Sequence, residues 1–443
     1  MVHDVVIVGA GSAGCVLAER LSRHPDRSVL LLERGPGWPG TEVTDLYHLP
    51  VGADAARLGR TVGYPVRPDG STVVRGNGIG GSAAVNGAYF LRWHRDDFRS
   101  WEHTLADIDA AYRDVESAMS VSAFRDDELT DTTHAFEQWF GPVAGGRSSV
   151  DAGRGPAGRE GIDSRWPRVG VNRVRSNSIR DACGGRRVTS AEAILRPALD
   201  RSNLTVRIGA EVTALERSGD RVTGVRCGAE VIGCGEVVLC AGTLGTASLL
   251  FGSGFAAGSL RIDEHREILV HYQPTTPAEC PVPLLPSVAH TESGVEIRCY
   301  GGDFADYIDG VPRVGPAMGV AAMSPATSGE LRWDGIGLTV DLGAAPDLPA
   351  RLGPELDQVR DMLHSAAFRG LVVPSSVRVD PVVRTSQHAF GSLPMGERTD
   401  RFGVVEGARG LRVVDGSILP VGGRSGPHAT ITMLAGLIGA SAR

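Results

Sequence analysis

The first 35 residues constrain the fold more than any other stretch of this chain. Residues 4–8 are a short run of branched apolar side chains, which is typical of a buried parallel strand. The run leads directly into residues 9–14, which have the form G-x-G-x-x-G, and apolar residues then recur at helical spacing as far as Leu21. A second buried strand is predicted at residues 28–32, with Glu33 at its carboxyl end. This order predicts a strand–turn–helix–strand unit that ends in an acidic residue.

Each part of this unit suits a bound dinucleotide. Gly9 permits the tight turn, Gly11 lets a pyrophosphate approach the backbone, and Gly14 lets the helix pack closely on the strand. The unpaired N–H groups and the dipole at the helix N-terminus favour a diphosphate. Glu33 follows the loop by about 20 residues, where a carboxylate can bind ribose hydroxyls. The alternative is a tight turn without a ligand, but the complete unit favours dinucleotide binding and leaves the kind of dinucleotide open.

The composition excludes several other classes of function. The 443 residues carry a net charge of −7, which gives no electrostatic case for nucleic-acid binding. All 45 basic residues are arginine, so chemistry that needs a lysine amine and a Walker A loop are both excluded. The seven cysteines are scattered without a C-x-x-C motif, so we expect reduced thiols and no metal site. With no signal peptide and a closing apolar run too short to span a bilayer, we expect a cytoplasmic protein without a transmembrane segment; contact with the inner face of the membrane stays open.

The pattern along the chain predicts two domains. Residues 204–208, 211–215, 221–227 and 236–240 read as strands, and residues 105–120, 190–199 and 427–442 read as helices. Between residues 259 and 385, apolar runs alternate with Pro- and Gly-bearing turns around one helical pattern at residues 356–367, which predicts an antiparallel sheet carrying helices. We therefore assign residues 1–125, 176–258 and 386–443 to a nucleotide-binding domain, and residues 126–175 and 259–385 to a substrate domain with its loops. The arginines around residues 147–187 are predicted to form a solvated face, with a docking surface for an anionic substrate or partner as the alternative.

Four blocks of sequence together resemble the glucose–methanol–choline (GMC) oxidoreductase family. The blocks are residues 9–14 with Glu33; residues 76–82 (GNGIGGS) through Asn86; residues 240–243 (CAGT) through Gly254; and residues 388–392 (HAFGS), 411–420 (LRVVDGSILP) and 426–431 (GPHATI). The first block is common to many flavoproteins, whereas the order and content of all four are specific. The resemblance implies an α/β protein with a Rossmann-like FAD-binding domain and a second α+β substrate domain on an antiparallel sheet.

The resemblance also implies FAD as the cofactor and assigns the residues that hold it. Some family members tether FAD through a histidine just before the asparagine of the second block; Val85 stands there, so we expect non-covalent FAD. The expected cofactor-binding residues are Gly9, Gly11, Ser12, Ala13, Gly14, Glu33, Arg34, Gly76, Gly80, Gly81, Ser82, Asn86, Val212, Ala241, Gly242, Asp415, Gly416, His428, Ala429 and Thr430.

Two histidines are the expected catalytic residues. His388 occupies the first catalytic position of the family and His428 the second. Alcohol oxidation needs a base for the hydroxyl proton, and imidazole suits this role because its ordinary pKa lies near neutrality. We expect His388 to be the base and His428 the hydrogen-bonding partner, with exchanged roles left open. His265, in the segment Ile262-Asp263-Glu264-His265, is expected to have a packing or hydrogen-bonding role.

The expected activity is FAD-dependent oxidation of an alcohol to a carbonyl, with electrons passed to a non-oxygen acceptor such as a quinone or a respiratory carrier. The alternatives are an oxygen-using oxidase and a redox-neutral hydroxynitrile lyase, since such lyases resemble the same family. Residues 424–430 (RSGPHAT) and the compact length also resemble the bacterial mycofactocin-associated GMC subgroup, which implies a peptide-derived alcohol as donor. The sequence leaves the substrate and the oligomeric state open.

Overall fold

The fold is taken from a computed structural model of the chain. It describes residues 2–46, 56–68, 70–141, 162, 164–181, 184–276, 283–308, 311–324, 328–420 and 422–441. Residues 142–161, Cys183 and Cys280 lie outside this part of the chain. The other five cysteines are free thiols.

The secondary-structure elements within these ranges are numbered in chain order. The strands are β1 (His3–Val8), β2 (Val29–Glu33), β3 (Thr61–Pro65), β4 (Thr72–Gly76), β5 (Ser122–Ala123), β6 (Gly170–Arg173), β7 (Arg175–Ser176), β8 (Ser178–Asp181), β9 (Gly184–Arg187), β10 (Leu204–Ile208), β11 (Val212–Ser218), β12 (Arg221–Cys227), β13 (Glu230–Leu239), β14 (Ser259–Ile262), β15 (Arg266–His271), β16 (Ser287–His290), β17 (Val295–Cys299), β18 (Ala317–Ala322), β19 (Gly329–Trp333), β20 (Leu338–Asp341), β21 (Arg378–Val379), β22 (Arg384–Thr385) and β23 (Leu411–Val413). The helices are α1 (Ser12–Leu21), α2 (Thr41–Thr44), α3 (Leu105–Ala118), α4 (Asp131–Phe140), α5 (Gly242–Gly252), α6 (Leu348–Arg351), α7 (Gly353–His364) and α8 (His428–Ser441). Short 3₁₀ turns occur at Gly81–Ala84, Arg95–Phe98, Asp126–Glu128, Arg196–Ala198, Phe304–Asp306, Ala366–Phe368, Pro374–Ser376 and Gly416–Ile418, and a π turn at Ala191–Leu195.

A mainly parallel sheet organises the first half of the fold. Its strand order is β10-β2-β1-β13-β12-β11, and β23 also pairs with β13. The neighbours of β1 and β2 are parallel, whereas β11, β12 and the start of β13 form an antiparallel meander. All five residues of β2 are buried, as expected for a strand covered on both faces. Helices α1 and α3 pack against α8. Strands β1 and β13 are parallel neighbours and lead directly into α1 and α5, so the N-termini of these two helices lie at the same edge of the sheet.

A second, antiparallel sheet forms the other layer. Its order is β21-β15-β18-β17-β16-β6, with β22 also paired to β15. One face is apolar and packs against α4 and α7, with residues such as Ile268, Val270, Ile297 and Val320 in that core. Side chains alternate along a strand, so the intervening residues of β15 and β17 face the opposite side. That side carries the charged residues Glu267, Glu296 and Arg298.

These observations confirm the predicted fold class. The strand predicted at residues 236–240 is longer, Glu230–Leu239, because β13 pairs with β12 along its first half and with β1 and β23 along its second half. The two-domain division with the boundaries given above stays a prediction. Within the described residues, no helix is both long and apolar enough to cross a bilayer.

Candidate active site

The glycine segment after β1 forms a turn in which side chains have no space. Gly9 has a φ of +100°, and a Cβ there would lie 2.6 Å from the carbonyl oxygen of Cys240. A Cβ on Gly14 would lie 1.9 Å from the carbonyl oxygen of Gly9, so any larger residue would push α1 off the turn. Gly11 caps α1 without a side-chain hydrogen bond. The first N–H groups of α1 therefore remain able to bind an anion.

Glu33 joins three loops at this edge of the sheet. One carboxylate oxygen, Oε2, accepts the N–H of Ala10 at 2.8 Å. The other, Oε1, accepts the N–H of Gly35 at 2.8 Å and of Gly78 at 3.2 Å. The carboxylate thus fixes the first glycine turn against the second glycine-rich segment. Glu33 also borders the cavity described next, and its bond to ribose stays a prediction.

A cavity of about 1500 Å³ runs from the glycine turn to the antiparallel sheet. The N-terminal residues of three helices line it: Ser12 of α1, Gly242 of α5 and His428 of α8. Each helix N-terminus carries a partial positive charge. Together they favour a ligand with negative charge, without any lysine.

Most of the predicted site residues line this one cavity. They are Gly9, Gly11, Ser12, Ala13, Glu33, Arg34, Gly76, Gly81, Ser82, Asn86, Val212, Ala241, Gly242, His388, Asp415, Gly416 and His428. Four predicted residues, Gly14, Gly80, Ala429 and Thr430, are not on its wall. The hydroxyl of Thr430 instead bonds that of Tyr112 at 2.6 Å. A contact of these four with the cofactor stays a prediction.

The protonation of His428 follows from its neighbour Asn86. Asn86 Oδ1 accepts the N–H of Ala88 at 2.9 Å, so its Nδ2 is the atom that faces His428 Nδ1, at 3.4 Å. An amide nitrogen only donates, so Nδ1 of His428 is the acceptor and the ring proton lies on Nε2. Burial lowers the pKa of His428 to about 4, which keeps the ring neutral at neutral pH. Its Nε2 is buried, and a backbone hydrogen bond with Tyr89 opposes the effect of burial on the pKa.

His388 lines the cavity and has a second histidine behind it. The Nδ1 atoms of His388 and His265 lie 2.9 Å apart, and the two rings are perpendicular. Burial, followed by the charges of His265 and Arg298, holds the pKa of His388 well below its ordinary value. The backbone N–H of His388 donates to Glu264 at 2.8 Å. His388 is therefore a neutral, oriented imidazole whose Nδ1 is already occupied.

The residue before His388 anchors it to β4. Gln387 has a φ of +62°, a left-handed conformation that is strained for a side chain of this size. Its Oε1 accepts the N–H of Val74 at 3.1 Å and a hydrogen bond from Arg75 Nη1 at 3.0 Å. These bonds hold the His388 loop against the second glycine-rich segment.

A chain of buried charges forms the far wall of the cavity. Arg298 donates to Glu296 at 2.8 Å and to Glu267 at 3.0 Å. The hydroxyl of Tyr89 donates to Glu296 at 2.7 Å, and that of Tyr300 to Glu267 at 3.0 Å. Burial alone would raise the pKa of Glu296, but Arg298 and its hydrogen-bond donors outweigh this and lower it. All five residues line the cavity.

Small residues on β18 permit this arrangement. Gly319 lies opposite both Leu269 of β15 and Arg298 of β17. A Cβ on Gly319 would lie 2.8 Å from Glu267 Oε2. Local sequence patterns did not predict this charged wall. Its signal was the alternation of Glu267, Glu296 and Arg298 with apolar residues along β15 and β17.

The prediction of a solvated arginine face is wrong for three arginines. Arg173 donates to Glu137 at 3.0 Å, and Arg180 to Glu128 at 2.7 Å. Arg187 is fully buried and donates to backbone carbonyls, and burial lowers its pKa to about 9. These guanidiniums are turned inward because acidic residues and carbonyls are within reach there.

The residues that are present fit the expected FAD. Two glycine segments meet beneath the cavity, where a Cβ on Gly81 would lie 2.8 Å from the Cα of Gly11, so only backbone can form this wall. The uncapped N-terminus of α1 suits a pyrophosphate. Val85 also lines the cavity and offers no atom for a covalent link. Among the described residues, no group of three or more His, Cys, Asp or Glu side chains is placed to hold a metal ion.

Comparison with known proteins identifies the family of this chain. The model of the family described as FAD dependent oxidoreductase matches residues 4–304, and the model described as GMC oxidoreductase matches residues 356–435. An uncharacterised GMC-type oxidoreductase of Rhodococcus erythropolis is 32% identical over 98% of this chain and 96% of its own length. Pyridoxine 4-oxidase of Microbacterium luteolum is 27% identical over 98% of both chains.

Solved structures show the same fold. A crystal structure of pyridoxine 4-oxidase from Mesorbium loti has a TM-score of 0.79, with 22% identity over 99% of both chains. A fungal aryl-alcohol oxidase has a TM-score of 0.72, with 15% identity over 99% of both chains. The four sequence blocks, the FAD-type cavity and the full-length similarity agree, and the chain belongs to the GMC family of FAD-dependent oxidoreductases.

Proposed function

We propose that this chain oxidises an alcohol CH–OH group to a carbonyl, with His388 as the base and His428 as the hydrogen-bond donor. The observation that carries the proposal is the pair of neutral imidazoles on one cavity wall, of which His428 must carry its proton on Nε2. The relatives support the substrate class, since they include proteins named pyridoxine 4-oxidase and alcohol dehydrogenase [acceptor].

The two histidines can take complementary roles, one as a hydrogen-bond donor and the other as a proton acceptor. His428 lines the cavity and its ring proton is assigned to Nε2, so we propose that it hydrogen-bonds the substrate oxygen and stabilises the developing alkoxide. This leaves His388 Nε2 to accept the hydroxyl proton. The low pKa of each ring keeps both neutral at neutral pH, which the base requires. The positive N-terminus of α8 next to His428 favours negative charge at the same place.

FAD, when bound, supplies the flavin N5 that accepts the hydride from the alcohol carbon. Gly11, Ser12 and Ala13 line the cavity at the N-terminus of α1, and we propose that they hold its diphosphate. Gly81, Ser82 and Asn86 are placed along the rest of the cavity, with Asp415 and Gly416 on its wall. The cofactor is proposed to be non-covalent because Val85 has no nucleophilic atom.

We propose a non-oxygen electron acceptor, such as a quinone. A relative from Pseudomonas putida named alcohol dehydrogenase [acceptor] supports this, at 28% identity over 61% of this chain. An oxidase is the second candidate, supported by relatives named pyridoxine 4-oxidase and oxygen-dependent choline dehydrogenase. Reduced mycofactocin as the donor rests on residues 424–430 and the compact length.

The test is anaerobic flavin reduction by a panel of alcohols, followed by stopped-flow absorbance. We expect wild type to bleach and His388→Asn to bleach about 10²- to 10⁴-fold more slowly, as is typical of a lost general base. His364→Asn is the matched control, because His364 is exposed at the end of α7 and lies off the cavity. If His388→Asn reduced its flavin at the wild-type rate, His388 would not be the base.

The acceptor is tested on the reduced enzyme. Reoxidation by a quinone or dye, with little reoxidation in air, is the result that the proposal predicts. Rapid reoxidation in air with peroxide formation would identify an oxidase. Cleavage of a cyanohydrin, with no bleaching of the flavin by any alcohol, would identify a hydroxynitrile lyase and exclude both the dehydrogenase and the oxidase.

A further inference from the structure

His265 makes a contact that its place in the sequence does not explain. It is fully buried, and its Nδ1 lies 2.9 Å from Nδ1 of His388. A hydrogen bond between these two nitrogens needs one proton and one lone pair, so one ring must donate and the other must accept. Which ring donates decides whether Nε2 of His388 is a base or an N–H group.

The surroundings of His265 Nε2 decide the direction. A Cβ placed on Gly422 would lie 3.0 Å from His265 Nε2, from the carbonyl oxygen of Met323 and from the ring of Phe390. The neighbouring carbonyl can only accept, and an aromatic ring offers no donor to a lone pair. These neighbours therefore favour a protonated Nε2 over an unprotonated one in His265. In a neutral His265 the lone pair then lies on Nδ1, facing His388.

The charged groups around the pair are consistent with two neutral rings. Arg298 lowers and Glu296 raises the pKa of both histidines, while Arg75 lowers that of His388. Burial dominates at His265 and lowers its pKa to about 3. Glu264 bonds the backbone N–H of His388 and not its ring.

We propose that His265 is a positioning residue for the reaction, accepting the Nδ1–H of His388 and so fixing the tautomer that leaves the Nε2 lone pair free at the cavity. The inference rests on the proposed role of His388 as base. Among the described residues, no carboxylate contacts the ring of His265 or of His388. The carboxylates of the antiparallel sheet, Glu267 and Glu296, therefore do not perform this task. When His388 takes the hydroxyl proton, the same bond holds the resulting imidazolium in place.

The direct test is nitrogen NMR of the FAD-loaded enzyme labelled with ¹⁵N-histidine. Protonated and bare ring nitrogens resonate in separate regions, and the spectra of His388→Asn and His265→Asn assign the two rings. We expect a neutral His388 with its proton on Nδ1 and a neutral His265 with its proton on Nε2. A proton on Nε2 of His388 would overturn the inference, and this readout needs no turnover.

The kinetic test compares two substitutions at His265. His265→Leu removes the acceptor, whereas His265→Asn offers an oxygen near the position of Nδ1. We expect His265→Leu to slow flavin reduction about 10- to 100-fold, as for one lost buried hydrogen bond, with little change in the apparent Kd for the alcohol. His265→Asn should recover most of the rate, and the exposed His364→Leu should match wild type.

The outcomes separate this inference from the proposed function. Equal rates for His265→Leu and wild type, or equal losses in the Leu and Asn variants, would contradict a hydrogen-bonding role. If no alcohol reduced the wild-type flavin, the proposed function would fail, and the NMR assignment would still decide the direction of the His265–His388 bond.

Discussion

Replacing Glu33 by Gln tests how the cofactor site is built. The carboxylate accepts three backbone N–H groups, from Ala10, Gly35 and Gly78. An amide oxygen can keep the two bonds now made by Oε1, but the NH₂ group then faces the N–H of Ala10, donor against donor. One charge-assisted bond is lost and a buried N–H is left unpaired, a cost of about 1.5–3 kcal/mol.

This cost acts on the geometry that receives the cofactor, because Glu33 holds the first glycine turn to the second glycine-rich segment. We expect the Kd for FAD of Glu33→Gln to rise about 10- to 100-fold. Titration of the apoprotein with FAD, followed by quenching of flavin fluorescence, measures it. Glu230→Gln is the control, since Glu230 pairs with Arg207 on the surface. An unchanged FAD affinity and thermal midpoint in Glu33→Gln would refute the reasoning.

Two further predictions concern the histidines. Asn86→Asp places a carboxylate beside His428 Nδ1, which should draw the ring proton to Nδ1 and raise the pKa of His428 above about 4. Flavin reduction should then be slower by about tenfold or more. A wild-type rate of reduction would contradict the assigned tautomer. His94 and His265 are buried with pKa values lowered to about 3, below their unfolded value of 6.5, so the unfolded state binds protons first as pH falls. The free energy of unfolding measured with urea should therefore fall as the pH is lowered from 6.5 to 3. Between pH 7 and pH 5 the fall should be roughly 1–2 kcal/mol per histidine. A free energy of unfolding that did not change between pH 7 and pH 5 would contradict the burial of neutral histidines.

Local patterns predicted the cofactor side of the molecule well. The strand, glycine turn, helix and second strand are contiguous, so sterics and periodicity within residues 4–33 are enough to define them. Gly14 was assigned to the close packing of helix on strand, and a Cβ at that position would collide with Gly9. The resemblance of four separated blocks then identified the family.

The substrate side could not be predicted in the same way. Arg298, Glu267 and Glu296 come together only when β15, β18 and β17 pair, and that pairing depends on sheet register across residues far apart in sequence. His265 looked structural because its partner, His388, lies 123 positions further along the chain. Contacts that depend on long-range pairing are invisible to local periodicity.

The same limit explains the arginines. A run of guanidiniums in a polar stretch resembles a solvated surface, and nothing local reveals that Glu137 and Glu128 lie opposite Arg173 and Arg180 in the fold. The second role of Glu33 was also hidden, because its partner Gly78 belongs to a different glycine segment.

Anaerobic reduction of the bound flavin by a primary alcohol and by its α-dideuterated form tests the central claim most directly. The account predicts that the flavin absorbance bleaches with both alcohols and more slowly with the deuterated one, since the transferred hydride comes from that carbon. A flavin that dithionite reduces, but that no alcohol in a broad panel bleaches, would contradict alcohol oxidation at this site.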